Sequence, residues 1–427
     1  MEKLDFTTID EVVYTEQLSN GLTVILIPKK TLSKTFGIFT TDFGAADLEF
    51  IPFNETESVK IPAGTAHYLE HKLFDKGDHD VYADFGKLGS DANAYTNDSE
   101  TSYYFTTVGN EIENVELLLN FVQDPYLTDE TVNKEKGIIS QEFQMYADMP
   151  DQRIYLAVQE ALFEKNPVRN EVLGTLESIN NMTKEKLLTA YETFYHPTNM
   201  TLAVAGNFDN EEMMSAIRAN QGQKQFPEIG PFTRVYPEEQ NETYVSDLTL
   251  HMNVSVPRLM IGIKEYGGEV SAEKLGLHKL LTNMTLDYFY SRSGQFYQEL
   301  VDVELVDSSF VYTSVIDKTF GFSMIGSNTD NPEQLTAKIK KQLHSLSTFK
   351  LEEQQFERLK KRTIGKTLRR MNSIENNAQG MIWNRNRGLS YFETISAIQQ
   401  LTLDDWKTFL FSWIDEERLT VCTIMPE

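Results

Sequence analysis

The chain has 427 residues, 40% hydrophobic and 24% charged, the make-up of a folded protein too long for one ordinary core. A formal net charge of −25 argues against nucleic-acid binding, which needs basic patches; it serves solubility and would favour a basic peptide or partner. No apolar run approaches the roughly 18 residues of a membrane span, and the single Cys422, in an apolar run, excludes an internal disulfide framework.

The start, Met1-Glu2-Lys3-Leu4-Asp5, has no secretory apolar stretch, so the expected location is cytoplasmic. Residues 12–14 and 22–27 read as strands joined by a turn at Ser19-Asn20-Gly21, and residues 36–44 as a third. A polar loop at 54–58 leads to a helix with Thr65 as its N-cap, and a second helix over 81–88 ends at Gly89. Residues 92–96 and 102–108 have strand composition. Asn110 caps a helix to about Gln123, with Ile112, Val115, Leu118 and Leu119 at helical spacing. Further helices are expected over 128–145, 151–164 and 183–195, and residues 201–206 close the half as a strand.

Residues 219–242 contain Pro227, Gly230, Pro231 and Pro237 and read as a linker between domains 1–218 and 243–427. The second half repeats the first: Thr183 with its helix and the strand at Thr201 return at Thr402 and Thr420, an offset of 219 in both cases. The expected fold is α+β, two homologous duplicated domains, each a mainly antiparallel sheet packed against helices.

On the helix after Thr65, His67, Glu70 and His71 are related by i, i+3 and i+4 and share one face. Two imidazoles one turn apart bind one zinc ion, and a carboxylate between them sits beside the reactive water. Two histidines leave such a site short of a protein ligand. Glu135 and Glu142, two turns apart on one helix face, are both candidates for it. The offset of 219 carries Glu142 to Lys361 and Glu135 to Gln354, and His278 to Thr282 aligns opposite His67 to His71, so one metal site per chain is expected. His79 reads as a surface-loop residue, and His196, before Pro197, as part of a turn. Lys360, Lys361 and Arg362 with Arg369 and Arg370 form a basic helix face, solvated or paired with the acidic surface. Tyr103-Tyr104 and Tyr288-Phe289-Tyr290 read as core.

His67-Tyr68-Leu69-Glu70-His71 is the inverted H-x-x-E-H motif of the inverzincins. With it go Asn93-Ala94-Tyr95-Thr96, the run from Glu135 to Glu142, and the run from Tyr195 to Thr201, with Gly206 ending the half. Together they resemble the pitrilysin/insulinase zinc metallopeptidases, which include the mitochondrial processing peptidase. The resemblance is good over residues 20–210 and weaker beyond. It implies a zinc (Zn2+) endopeptidase that works through activated water, with His67, His71 and Glu142 as metal ligands. By the same resemblance, Glu70 is the general base and Glu135 a carboxylate supporting a ligand or the base. Asn93 and Ala94 lie on an edge strand that pairs with the extended peptide.

Active members of that family usually carry, in the second half, an Arg and a Tyr seven positions apart that hold the substrate over the zinc. The matching positions here are Val301 and Ser308, which offer neither a cation nor a phenol. The resemblance therefore implies the zinc-bearing subunit of a heterodimer, its homologous partner supplying the Arg/Tyr pair, and similar to one member of the paired Gram-positive bacterial peptidases. A homodimer is the other arrangement. The alternative function is a non-catalytic peptide-binding or assembly subunit that retains zinc.

Overall fold

Alternating and all-apolar stretches build the first strands, β1 (Glu2–Phe6), β2 (Glu11–Gln17), β3 (Thr23–Pro28) and β4 (Thr35–Thr41). In the computed structural model, which describes residues 1–7, 9–350 and 352–427, β4 is buried throughout and β3 nearly so. Such continuous apolar strands belong in the middle of a sheet covered on both faces. Short β5 (Glu49–Ile51) and β6 (Val59–Lys60) lead to α1 (Thr65–Phe74) and α2 (Val81–Lys87). The hairpin β7 (Asp91–Thr96) and β8 (Thr101–Thr107) follows, then α3 (Glu111–Val122) and α4 (Asp129–Ala147). Next come α5 (Pro150–Leu162), α6 (Leu176–Asn180), α7 (Lys184–Phe194), β9 (Met200–Gly206), α8 (Asn210–Gly222) and β10 (Thr233–Arg234).

The second half contains β11 (Asp247–Met252), β12 (Arg258–Tyr266), α9 (Ala272–Tyr290), α10 (Gln295–Asp302), β13 (Val311–Ile316) and β14 (Gly321–Asn328). It ends with α11 (Pro332–Ser345), α12 (Glu353–Met371), α13 (Ile374–Asn386), α14 (Thr394–Gln400), α15 (Leu403–Trp413) and β15 (Leu419–Pro426). The chain divides into two units. The first is Met1–Phe143, Glu171–Val235 and Leu368–Glu393; the second is Gln144–Asn170, Tyr236–Thr367 and Thr394–Glu427.

The sheet of the first unit has the order β1-β2-β3-β9-β4-β8-β7, and that of the second β11-β15-β12-β14-β13. The duplication shows in the topology: β3-β9-β4-β8-β7 and β11-β15-β12-β14-β13 share one order and one parallel pair, β3–β9 and β11–β15, among antiparallel neighbours. Both sheets end on an open edge, β7 in one and β13 in the other. In the first unit α13 packs on β9, β4 and β3; in the second α5 packs on β15 and β12. Gly262 of β12 permits the latter approach, since a Cβ there would lie 2.4 Å from Val158 Cγ1 of α5.

The offset of 219 holds for the closing helix and strand, α7 with α15 and β9 with β15. It fails for the long central helices: α4 and α12, like α5 and α13, match end to end at 224. The counterpart of Glu142 is thus Lys366, not Lys361, and that of Glu135 is Leu359, not Gln354. Twenty-one residues join α5 to α7 but sixteen join α13 to α15, so the register shifts by five. Helix α9 is also nine residues longer than α1, and counting back from the two helix ends sets Asp287, rather than Thr282, at the place of His71. Asp287 pairs with Lys366 and with Arg362 (3.2 Å), so the second unit holds an ion cluster where the first has its histidines and Glu142.

Thr65 does not cap α1. The N-cap is Gly64, at φ 89°, and the Thr65 hydroxyl donates to the Pro62 carbonyl (2.6 Å). A Cβ on Gly64 would meet the Leu173 carbonyl oxygen at 2.3 Å, so glycine is required by conformation and by space. Gly64→Ala is expected to lower stability by about 2–4 kcal/mol, combining left-handed strain with a backbone clash. Thermal unfolding of the variant reads the effect.

Candidate metal centre

Helix α1 buries Ala66, Leu69 and Leu73 in the core of the first unit, which turns Glu70 and His71 towards its polar edge. Tyr68 fixes the helix to α4 by donating its hydroxyl to the Val132 carbonyl. On α4, Val132, Glu135 and Ile139 are buried at helical spacing, and Glu142 follows one turn later on the same side. The two helices thereby bring His67 and His71 against Glu135 and Glu142.

His67 Nε2 lies 3.7 Å and His71 Nε2 3.4 Å from Glu142 Oε2, and one ligand atom from each of the three residues fits within 4.8 Å of the others. Donor atoms about 2.1 Å from a tetrahedral ion are roughly 3.4 Å apart. Glu142 Oε2 is buried and has no hydrogen-bond donor. A buried acceptor oxygen facing two imidazole nitrogens is a donor set for a cation, and two imidazoles with one carboxylate suit zinc. The residues fit that metal.

Glu135 takes a different position from Glu142. Its Oε1 lies 3.1 Å from His71 Nδ1, where a carboxylate can only accept, so that in the neutral ring Nε2 is the nitrogen left with a lone pair. Burial, followed by the charge of His71, holds His67 down to about 3, so this ring is neutral. Burial also opposes the charged form of His71, but the bond to Glu135 and the charges of Glu142, Glu70 and Glu135 outweigh it and raise the ring. Glu142 is raised by burial and by Glu135, against the pull of His71.

Glu70 shares the helix face but points to the sheet edge, where Thr96 Oγ1 donates to its Oε2 at 2.5 Å. Burial raises its carboxyl, with Glu142 adding to the effect, while the Thr96 bond and His71 work against it. Thr96 ends β7, the edge strand, and Asn93 and Ala94 lie on the same strand. The Ala94 N–H is met by its neighbour's side chain, Asn93 Oδ1 (2.8 Å), a contact that an incoming strand would replace. His67, Glu70, His71, Asn93, Ala94, Glu135 and Glu142 all belong to the first unit.

Thr96 was present in the sequence only as the end of a motif, and its bond to Glu70 had no separate signal. Nor did the parallel stacking of Tyr82 on Phe74, with ring centroids 4.3 Å apart, one turn beyond Glu70. His79 is exposed and bonded to Asp78 and Asp84. His196 is buried in a turn, its Nε2 3.2 Å from the Pro227 carbonyl. Val301 is on α10, 38% exposed, and Ser308 is in an exposed turn. Among the described residues no helix is long and apolar enough to cross a membrane.

Two family models match: insulinase (peptidase family M16) over residues 55–176, and the peptidase M16 inactive domain over residues 181–363. The chain is 37% identical to uncharacterized zinc protease YmfH of Bacillus subtilis across the whole length of both. It is 34% identical to a crystal structure of an M16-like peptidase from Alicyclobacillus acidocaldarius, with a TM-score of 0.94 over 98% of this chain and 99% of that one. A protease from Helicobacter pylori, at 17% identity, shares the fold with a TM-score of 0.79 over 97% and 99% of the two chains.

Proposed function

The chain belongs to peptidase family M16, the insulinase family, and from that premise we propose that it is a zinc-dependent endopeptidase acting on extended peptides. The observation that carries this reading is the convergence of His67 Nε2, His71 Nε2 and Glu142 Oε2 beside Glu70, next to an open sheet edge. Zinc held there supplies a Lewis acid that eases deprotonation of water and polarises a peptide carbonyl.

The protein's own groups do the rest. The edge of β7 pairs with the backbone of the peptide, with Asn93 and the Ala94 amide at the contact. Glu70, oriented by Thr96, accepts the proton of the attacking water and returns it to the leaving nitrogen. Glu135 holds the His71 ring in the tautomer that presents Nε2. No group of the chain forms a covalent link to the substrate in this scheme.

A further part of the proposal concerns assembly. With Val301 and Ser308 in place of a cation and a phenol, the residues that would hold a peptide carbonyl come from a homologous partner subunit, in a heterodimer with this chain as the zinc-bearing member. A second reading, a zinc-retaining subunit that binds peptides without cutting them, draws on the same two positions. Zinc content and cleavage of a quenched peptide library, by the chain alone and with the product of a neighbouring homologous gene, decide between them. About one zinc per chain, with cleavage only in the mixture, supports the split site. Zinc without cleavage in either case favours the binding subunit.

A further inference from the structure

The negative charge of this chain is unevenly placed. Residues 42–143, which carry the metal centre and β7, hold 21 acidic and 6 basic side chains, 15 of the 25 net negative charges; the other 325 residues hold 43 and 33. An excess of that size in the segment that carries the site favours cations there over charge spread evenly for solubility.

Within the connection from α1 to β7 the chain places Asp75, Asp78, Asp80, Asp84 and Asp91. Four of them have local duties. Asp75 pairs with Lys72 (2.6 Å), Asp78 with His79 (2.6 Å) and Asp84 with Lys87 (2.8 Å), while Asp80 caps α2 by accepting the Tyr82 N–H (2.9 Å). Asp91 is exposed, and its carboxylate makes no hydrogen bond or ion pair among the described residues. It is the first residue of β7, and Thr96, which touches Glu70, is the last.

Its charge acts on two phenols beside the strand. Tyr82 is pushed up to about 12, by burial first and then by Glu70, Asp80, Tyr104 and Asp91. Tyr104, beside Asn93 in the β7–β8 ladder, is raised by burial and then by Asp91 and Glu70. A strand added to the free edge of β7 would set one side chain directly opposite Asp91, with Cβ atoms about 5 Å apart. Five residue steps along the strand, roughly 16 Å, separate that position from the one at Thr96.

We propose that the peptide laid along β7 is cationic, with a lysine or arginine side chain set opposite Asp91. This deepens the peptidase reading and rests on it for the location of the peptide. The edge strand recognises an extended chain through its backbone, and Asp91 adds the charge preference.

The test is a binding measurement on the full-length Glu70→Gln chain with zinc, so that nothing is consumed. Three labelled decapeptides differ in one residue, Lys, Gln or Glu. The Lys peptide is expected to bind about fivefold tighter than the Gln peptide, with the Glu peptide weakest. The differences should shrink between about 50 mM and about 0.5 M salt. Asp91→Asn, at an exposed position, should leave the fold intact by circular dichroism and bring the Lys and Gln peptides together. Equal affinities for the three peptides, a Lys preference that Asp91→Asn leaves unchanged, or no binding of the Lys peptide overturns the proposal. So does tight binding of a folded basic protein without selectivity among the peptides, which would reassign the charge to a protein partner. Cleavage by the unmodified chain, measured alone and with the product of the neighbouring homologous gene, separates the two readings. Equal cleavage of all three peptides keeps the peptidase and removes the cationic preference. Selective binding of the Lys peptide without cleavage does the reverse.

Discussion

Glu70→Gln is expected to keep its zinc and to lose peptide hydrolysis by about 10²- to 10⁴-fold, the range a positioned general base contributes. The separation of the two effects follows from geometry. Glu70 is not among the three residues whose donor atoms converge, so an amide in its place removes no ligand. The Thr96 hydroxyl that donates to Glu70 Oε2 finds an equivalent acceptor in the glutamine carbonyl, and the side chain keeps its position. What is lost is the capacity to take a proton, because an amide nitrogen has no basic lone pair. The change should therefore fall on kcat, with KM nearly constant, in whichever assembly the unmodified chain is active. Metal analysis and a fluorogenic peptide assay read both quantities. Retention of more than about a tenth of the rate would remove Glu70 from the role of base.

How much of this could be read from the sequence depended on the range of the interaction. The face shared by His67, Glu70 and His71 follows from helical spacing alone, as does that of Glu135 and Glu142, and α1 and α4 form as expected. The residues alone left both glutamates open as the third ligand. That choice is a matter of helix against helix: Tyr68 ties α1 to the Val132 carbonyl, which sets Glu135 against Nδ1 of His71 and Glu142 against Nε2.

The internal repeat was legible at the ends of the two halves and misplaced in their middles. An offset measured on α7 and β9 cannot register the five extra residues between α5 and α7. The sheet that receives α5 was not legible either. Its apolar stripe of Ile154, Ala157, Val158, Ala161 and Leu162 marks a buried helix but names no partner. Gly262, which admits Val158, is 104 positions away in the chain. Residue preference points to Thr65 as the cap, and the structure uses Gly64 because only glycine fits that backbone and that space.

Glu142→Ala should weaken zinc binding by roughly 10³-fold, since a metal site worth about 10–16 kcal/mol shared among three ligands loses about a third of it. Glu135→Ala should cost less, about 10- to 100-fold, because it removes the support of a ligand and leaves all three donors in place. The ratio between the two variants separates the roles of two glutamates that occupy one helix face. A second readout has the opposite sign. In the metal-free chain Glu142 Oε2 is a buried acceptor without a donor, and such a group costs about 1–3 kcal/mol. Removing it should stabilise the metal-free fold, so Glu142→Ala would melt above the unmodified chain in chelator. With saturating zinc the order should invert, because binding stabilises only the chain that holds the ion. Crossing melting curves are the signature of a site whose donors are arranged for a cation at the expense of the empty fold. Parallel curves in both conditions, or the larger zinc loss from Glu135→Ala, would exchange the two glutamates and make Glu135 the ligand.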